Sequence, residues 1–101
     1  MTPTAAAPTT ELELKHAVLR LAKQNGWAVY HVPQTTMRNG GGSGYPDLTL
    51  ARDGEVLWIE LKQQKAQPSE QQLAWAAALG RPWHLVRPDD WDSGRVGELL
   101  A

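Results

Sequence analysis

The dipeptide Asp53-Gly54 lies between two segments of alternating apolar and polar residues, 45–51 and 56–62, and no other feature limits the fold of this chain as tightly. Asp-Gly is a preferred loop for a two-residue type I′ turn, whose central residues take positive φ and whose twist suits the flanking strands. Placing those two residues at the tip sets Leu48 opposite Ile59 and Leu50 opposite Leu57, an apolar face that a core can cover. Side chains alternate with a period of two, so a one-residue slip would turn that face to solvent. Burial therefore fixes the register.

The same register puts Thr49 opposite Trp58 and Asp47 directly opposite Glu60 on the other face, with Lys62 further along the same side. Side chains paired in this way lie ~4.5 to 5.5 Å apart at Cβ, where like charges are destabilising. A cation between them would remove the conflict. Mg²⁺ takes oxygen ligands and usually binds through one or two carboxylates together with water and substrate phosphate. Held by Asp47 and Glu60, such an ion would polarise a phosphoryl oxygen and help to deprotonate a water for attack on phosphorus. Lys62 would orient that water or offset developing negative charge. Acids facing each other on an exposed strand are equally compatible with plain solvation, Lys62 then being their neutralising neighbour.

Other elements flank the hairpin. Thr10 and Glu13 have the spacing of a capping box, and Leu14, Ala17, Val18, Leu21 and Ala22 follow at helical intervals. The spacing predicts a helix from Thr10 to Asn25, ended by Gly26, and a strand from Trp27 to Val32. Residues 33–44, PQTTMRNGGGSG, read as a loop, of a length that often serves binding. Ser69 and Gln72 repeat the capping box before an Ala- and Leu-rich helix over 69–79 that stops at Gly80. Trp83 to Val86 is a short strand, Pro88-Asp89-Asp90 a turn, and Gly97 to Leu100 a weak terminal helix. The order is αβββαβ. An α/β fold is expected, a four-stranded mixed sheet flanked by helices, with its last strand parallel to the third because a helical crossover joins them.

At 101 residues, 42% of them apolar, there is room for one core. A single domain over 10–101 follows a disordered leader at 1–9. Ten Lys and Arg against eleven Asp and Glu leave a formal charge of -1, so attraction to nucleic acid must be local. The absence of cysteine excludes disulfides, thiolate zinc sites and a cysteine nucleophile, and suits a reducing compartment. Neither a signal-peptide core nor a run of ~20 apolar residues occurs, so a soluble, cytoplasmic protein is expected.

Tyr45-Pro46-Asp47 followed by Ile59-Glu60-Leu61-Lys62 resembles the PD…ExK signature of the PD-(D/E)xK nuclease superfamily. Within it the chain resembles the compact VRR-NUC (virus-type replication-repair nuclease) domains, in which an acidic helix, a strand, a Gly-rich loop, PD, ExK and a Gln-bearing helix follow in order. The resemblance covers most of the chain and implies a restriction-endonuclease-like core. It implies that Asp47, Glu60 and the Leu61 carbonyl hold Mg²⁺, with Mn²⁺ able to substitute, and that Lys62 assists the water. It implies an acid on the first helix, for which Glu11 and Glu13 both offer themselves. Residue 11 shares the sheet-facing side with Leu14 and Val18, whereas Glu13 is explained as the capping residue, so Glu11 is preferred. The family's glutamine falls on Gln72, with Gln71 as the fallback. Gln72 is also explained as a cap, and one side chain rarely serves both ends. The resemblance further implies branched DNA substrates such as flaps or Holliday junctions, a homodimer, and the cytoplasm of a bacterium or phage-infected host.

Several other signals are weaker. Gly40 to Gly44 lack the Gly-Lys-Ser/Thr of a nucleotide-binding loop and run into a strand. Arg38 and Lys65 are candidate DNA contacts, as are Arg81 and Arg87; a solvated loop arginine explains Arg38 equally well, and surface charge explains the other three better than a specific contact. His16, His31 and His84 show no metal-ligand spacing. Trp58 and Trp75 are expected in the core and Trp91 exposed, at a dimer contact. The expected activity is a metal-dependent DNA endonuclease. A catalytically silent DNA-binding or assembly module of the same fold, or an RNA nuclease, is the alternative.

Overall fold

A computed structural model describes residues 8–32 and 44–101. Helix α1 spans Glu11–Gln24 and is closed at its start by the anticipated box: Thr10 Oγ1 accepts from the Glu13 amide at 3.1 Å, and Glu13 Oε1 accepts from the Thr10 amide at 3.2 Å. Gly26, at φ 87°, turns the chain out of the helix into β1, Ala28–His31. Strands β2, Leu48–Arg52, and β3, Glu55–Leu61, form the hairpin. Asp53 and Gly54 both have positive φ, 53° and 83°, as a type I′ turn requires. The register is the one read from sequence, with Leu48 on Ile59, Thr49 on Trp58 and Leu50 on Leu57.

The remaining elements are α2, Glu70–Leu79, β4, Trp83–Val86, and two short helices, α3 at Pro88–Asp92 and α4 at Arg95–Leu100. The fold is α/β, with an open mixed sheet in the order β1-β2-β3-β4. Its first two pairings are antiparallel and β4 runs parallel to β3. Two expectations are corrected. The Pro88-Asp89-Asp90 segment is a helix rather than a bare turn, since Pro88 presets φ at its first position and the Asp90 carboxylate caps the Arg87 amide at 2.7 Å. The terminal helix begins two residues earlier than expected, at Arg95.

The core lies on one face of the sheet. Leu14, Val18 and Ala22 of α1 and Val96 and Leu100 of α4 pack on Leu48, Leu50, Ile59, Leu61 and Val86. Each such aliphatic side chain contributes on the order of 1.5–3 kcal/mol by leaving water. The far end of α1 is tied to α4, because the Trp27 indole and the Asn25 amide both donate to the Leu100 carbonyl. The Arg52 guanidinium lies over the Trp27 ring and donates to the Asn25 and Ala101 carbonyls.

On the opposite face a polar and aromatic layer sits beneath α2. Trp58 Nε1 donates to the Tyr45 hydroxyl, which also pairs with Thr49 Oγ1, and the Tyr45 ring meets Trp75 edge-on. Trp75 is thus 37% exposed rather than core, and Trp91 is partly buried against the core rather than exposed. Local patterning misplaces both because α2 buries none of its residues and α3 sets its tryptophan against the hydrophobic core.

Gly44 joins the two faces. At φ 78° its backbone passes so close to α2 that a Cβ would fall 2.5 Å from the Gln71 carbonyl carbon, whereas Gly54, also at positive φ, faces open space. Gly54→Ala should therefore cost about 1 kcal/mol for the left-handed backbone alone. Gly44→Ala should add roughly 1–3 kcal/mol for the overlap, lowering Tm a further ~5–15 °C in thermal unfolding followed by circular dichroism.

Candidate functional site

The hairpin's paired ladder ends at Leu48 and Ile59, one residue short of Asp47 and Glu60. At that point a side chain replaces the backbone as acceptor: Asp47 Oδ2 takes the Leu61 amide at 2.8 Å. Pro46 is fully buried and fixes the entry of the chain, while the Val32 amide donates to the Asp47 carbonyl at 3.3 Å. Asp47 is therefore held from both sides, by β1 through its main chain and by β3 through its carboxylate.

Glu60 stands out among the charged residues because it is 1% exposed. One oxygen, Oε2, accepts from Gln72 Nε2 at 2.8 Å, and the other, Oε1, is buried with no hydrogen-bond partner. An ionised carboxylate left in that condition carries a large desolvation penalty. Burial first, then the neighbouring Asp47 carboxylate, push the Glu60 pKa up to about 9. Lys62 opposes the shift. The raised pKa favours the protonated form of Glu60, which eases the repulsion between the two acids.

Gln72 serves both ends. Its Oε1 accepts from the Ser69 amide at 2.8 Å to complete the capping box of α2, while its Nε2 reaches Glu60. The expectation that one side chain rarely does both is corrected. An amide carries an acceptor and donors on the same planar head, and here the two point in opposite directions. Gln71 has a different part, backing the close approach of Gly44.

The first-helix acids are separated by their surroundings. Glu13 is bound by Thr9 and Thr10, whose hydrogen bonds hold its pKa below the usual carboxylate range. Glu11 lies toward the hairpin. Partial burial raises its pKa, the Asp47 charge adds to the rise, and Lys62 and Lys15 oppose it. Glu11 and Asp47 line one groove between the first turn of α1 and the sheet. Asp47, Glu60, Glu11, Lys62 and Gln72 are thus neighbours at one end of the sheet.

The candidate DNA contacts are less concentrated. Lys65 is exposed in the connection between β3 and α2, and Arg38 lies outside the described residues, as do residues 33–43 of the expected loop and 1–7 of the leader. Arg87 is engaged, donating to the Ala66 carbonyl at 2.7 Å. His84 is half-buried with its pKa lowered, by burial and then by Arg95. Sequence reasoning overlooked Lys15, although its position one helical turn after Glu11 is the signal that both lie on one face. It also overlooked the Tyr45 to Trp58 bond, a diagonal contact that a list of directly opposed residues does not contain.

Among the described residues no group of three or more His, Cys, Asp or Glu side chains is placed to hold a metal by itself. The site fits a hard cation in another way. Glu60 Oε1 is a buried oxygen with no hydrogen-bond partner, and Asp47 supplies a second carboxylate beside it, an oxygen donor pair of the kind such ions take. Comparison with protein-family models, with curated proteins and with solved structures gives no match.

A raised carboxyl pKa has a definite sign in stability. The folded state holds the proton more tightly than the unfolded chain, so the contribution is fully present below the ordinary carboxylate range. It is lost as pH rises toward about 9. Glu60→Gln keeps the shape and removes the ionisation. In EDTA at pH 8 it should raise Tm by roughly 5 °C or more, and at pH 4 the gain should be absent. Equal effects at both pH values would refute the assignment of the proton to Glu60.

Proposed function

We propose that this chain is a metal-dependent DNA endonuclease of the PD-(D/E)xK type, similar to the VRR-NUC domains, that hydrolyses phosphodiester bonds in branched DNA. The observation that carries this reading is the buried Glu60 beside Asp47, with one oxygen lacking any donor, at the end of a hairpin whose register brings the two acids together. Burying a charge that no structural partner satisfies is costly, and such costs are concentrated at functional sites. The αβββαβ order and the parallel β3–β4 pair support a restriction-endonuclease-like core around it.

Asp47, Glu60 and the Leu61 carbonyl would hold Mg²⁺ or Mn²⁺, with water and phosphate oxygens completing the shell as is usual for these ions. The ion supplies Lewis acidity at the phosphoryl oxygen and acidifies a bound water. The remaining steps belong to side chains. Gln72 donates to Glu60 Oε2 and so leaves Oε1 as the oxygen facing the site. The Leu61 amide fixes Asp47 Oδ2. Lys62 brings a positive charge close enough to oppose the pKa rise of both Glu60 and Glu11, and so is placed to orient the attacking water or to neutralise charge on the phosphorane oxygens. Glu11, exposed at the rim with a raised pKa, is the group available to exchange a proton with solvent.

Arg38 and Lys65 are proposed as outer phosphate contacts, and a homodimer as the assembly that presents two sites to a branched substrate. Among the described residues no helix is long and apolar enough to cross a membrane. The setting proposed is the cytoplasm of a bacterium or phage-infected cell.

The test is to incubate the protein with labelled duplex, flap and four-way-junction DNA and with RNA, in Mg²⁺, Mn²⁺ or EDTA. Cleavage of DNA should require metal, and Lys62→Ala should lower the rate by roughly 10²- to 10³-fold with the fold intact by circular dichroism. DNA binding with no cleavage under either metal would replace this reading with a silent assembly module, and cleavage confined to RNA would replace it with an RNA nuclease.

A further inference from the structure

The groove that Glu11 and Asp47 share extends beyond the acids. It has a volume of about 400 Å³, and its walls include Leu12 and Lys15 of α1, Val32 after β1, and Gln63 after β3. Leu12 is 61% exposed, a large aliphatic side chain left in water on a helix whose other leucines are partly or wholly buried. Lys15 is half-buried, and among the described residues the ion pairs are Arg52 with Asp53 and Arg95 with Asp90. The Lys15 ammonium is thus taken by neither. A cation, an apolar wall and the end of an acidic site therefore lie along one channel.

We propose that this groove receives the nucleotide next to the scissile phosphate, and that the strand enters it unpaired. This rests on the nuclease reading of the adjoining acids. Lys15 grips the phosphate of that nucleotide, the apolar side of its sugar and base packs on Leu12 and Val32, and Gln63 offers an amide to a base edge. The volume is of the order that encloses one small organic group, which suits a single nucleotide lying along the groove. Stacking or packing of a base against a side chain together with a cation on the backbone is how unpaired strands are held without sequence preference. The proposal narrows the substrate from branched DNA in general to branches that present a free strand, such as flaps and frayed ends.

Lys15 acts on binding and not on the chemical step, which gives the test a readout that cleavage alone lacks. Binding of a short fluorescein-labelled oligothymidylate and of a blunt duplex is measured by anisotropy in EDTA across a salt series, so that no strand is cut. The oligothymidylate should bind more tightly than the duplex. Lys15→Ala should weaken it about tenfold, as loss of one charged contact would, and should lower the slope of log affinity against log salt by about 0.7. Lys15→Arg should keep the affinity, which separates loss of charge from loss of fold, and Leu12→Glu should weaken binding where Leu12→Met does not. An unchanged affinity and slope in Lys15→Ala, a duplex bound as tightly as the single strand, or no binding of either would overturn the proposal. Single-strand binding that obeys these rules in a protein that cuts nothing would leave the groove standing and remove the nuclease reading, so the two fail separately.

Discussion

Two carboxyl groups in contact, one of them sealed from water, are the constraint around which the rest of this molecule is arranged. Glu60 is 1% exposed, beside Asp47, with an oxygen that no donor reaches. Left to electrostatics the strands would part or the acid would turn outward. Neither happens, because the opposite face of the same hairpin buries Leu48, Leu50 and Ile59 completely, and a register slip that moved Glu60 out would move those residues out with it. Several aliphatic side chains at about 1.5–3 kcal/mol each outweigh the desolvation of one protonated acid. The core holds the acid in place, and its raised pKa, which favours the uncharged form, makes the arrangement tolerable.

Control of that acid passes through α2. The helix buries none of its own residues, so its position comes from a few directed contacts rather than from a packed face. Gln72 spans from the helix cap to Glu60, Gly44 lets the chain before Asp47 touch the backbone of Gln71, and the Tyr45 ring meets Trp75. All three connect α2 to the segment carrying Asp47 or to Glu60 itself. A shift of the helix would therefore move the hydrogen bond that selects which Glu60 oxygen stays unpaired, and the two acids and the helix behave as one unit.

Much of this was legible in the residues because the deciding signals are local. Asp53-Gly54 specifies a turn type, the turn specifies the register, and that register, which the structure keeps as far as Leu48 and Ile59, points Asp47 and Glu60 toward each other just beyond its end. Thr10 with Glu13 and Ser69 with Gln72 mark both helix starts in the same way. What escaped depends on elements meeting at a distance. The exposure of Trp75 and the partial burial of Trp91 follow from how α2 and α3 sit on the sheet, and neither is encoded in the spacing of neighbouring residues. The double use of Gln72 was unreadable for another reason: a capping box names the acceptor end of the side chain and is silent on where the amide hydrogens point. The depth of Glu60 belongs with these, since an acid on the solvent side of a strand becomes buried only when a helix covers it.

The charge balance explains why the proposed activity would be confined to so small an area. A chain of net charge -1 has no general attraction for a polyanion, and its candidate site gathers the acids Glu11, Asp47 and Glu60. Beyond a Debye length of ~8 Å at physiological salt, charges elsewhere on the surface are largely screened and cannot compensate. Any phosphate that enters must therefore be met by positive charge within the site itself. Lys62 and Lys15 are the protein's share, and both lower the pKa of Glu11 against the rise from burial and Asp47. A proton on Glu60 removes one negative charge, and a metal bound by the same carboxylate would displace it. On the proposed function, that exchange of proton for cation is what couples metal loading to the approach of DNA. The acidic pair carries two negative charges when bare and one when Glu60 is protonated, and a divalent ion between its oxygens would offset both.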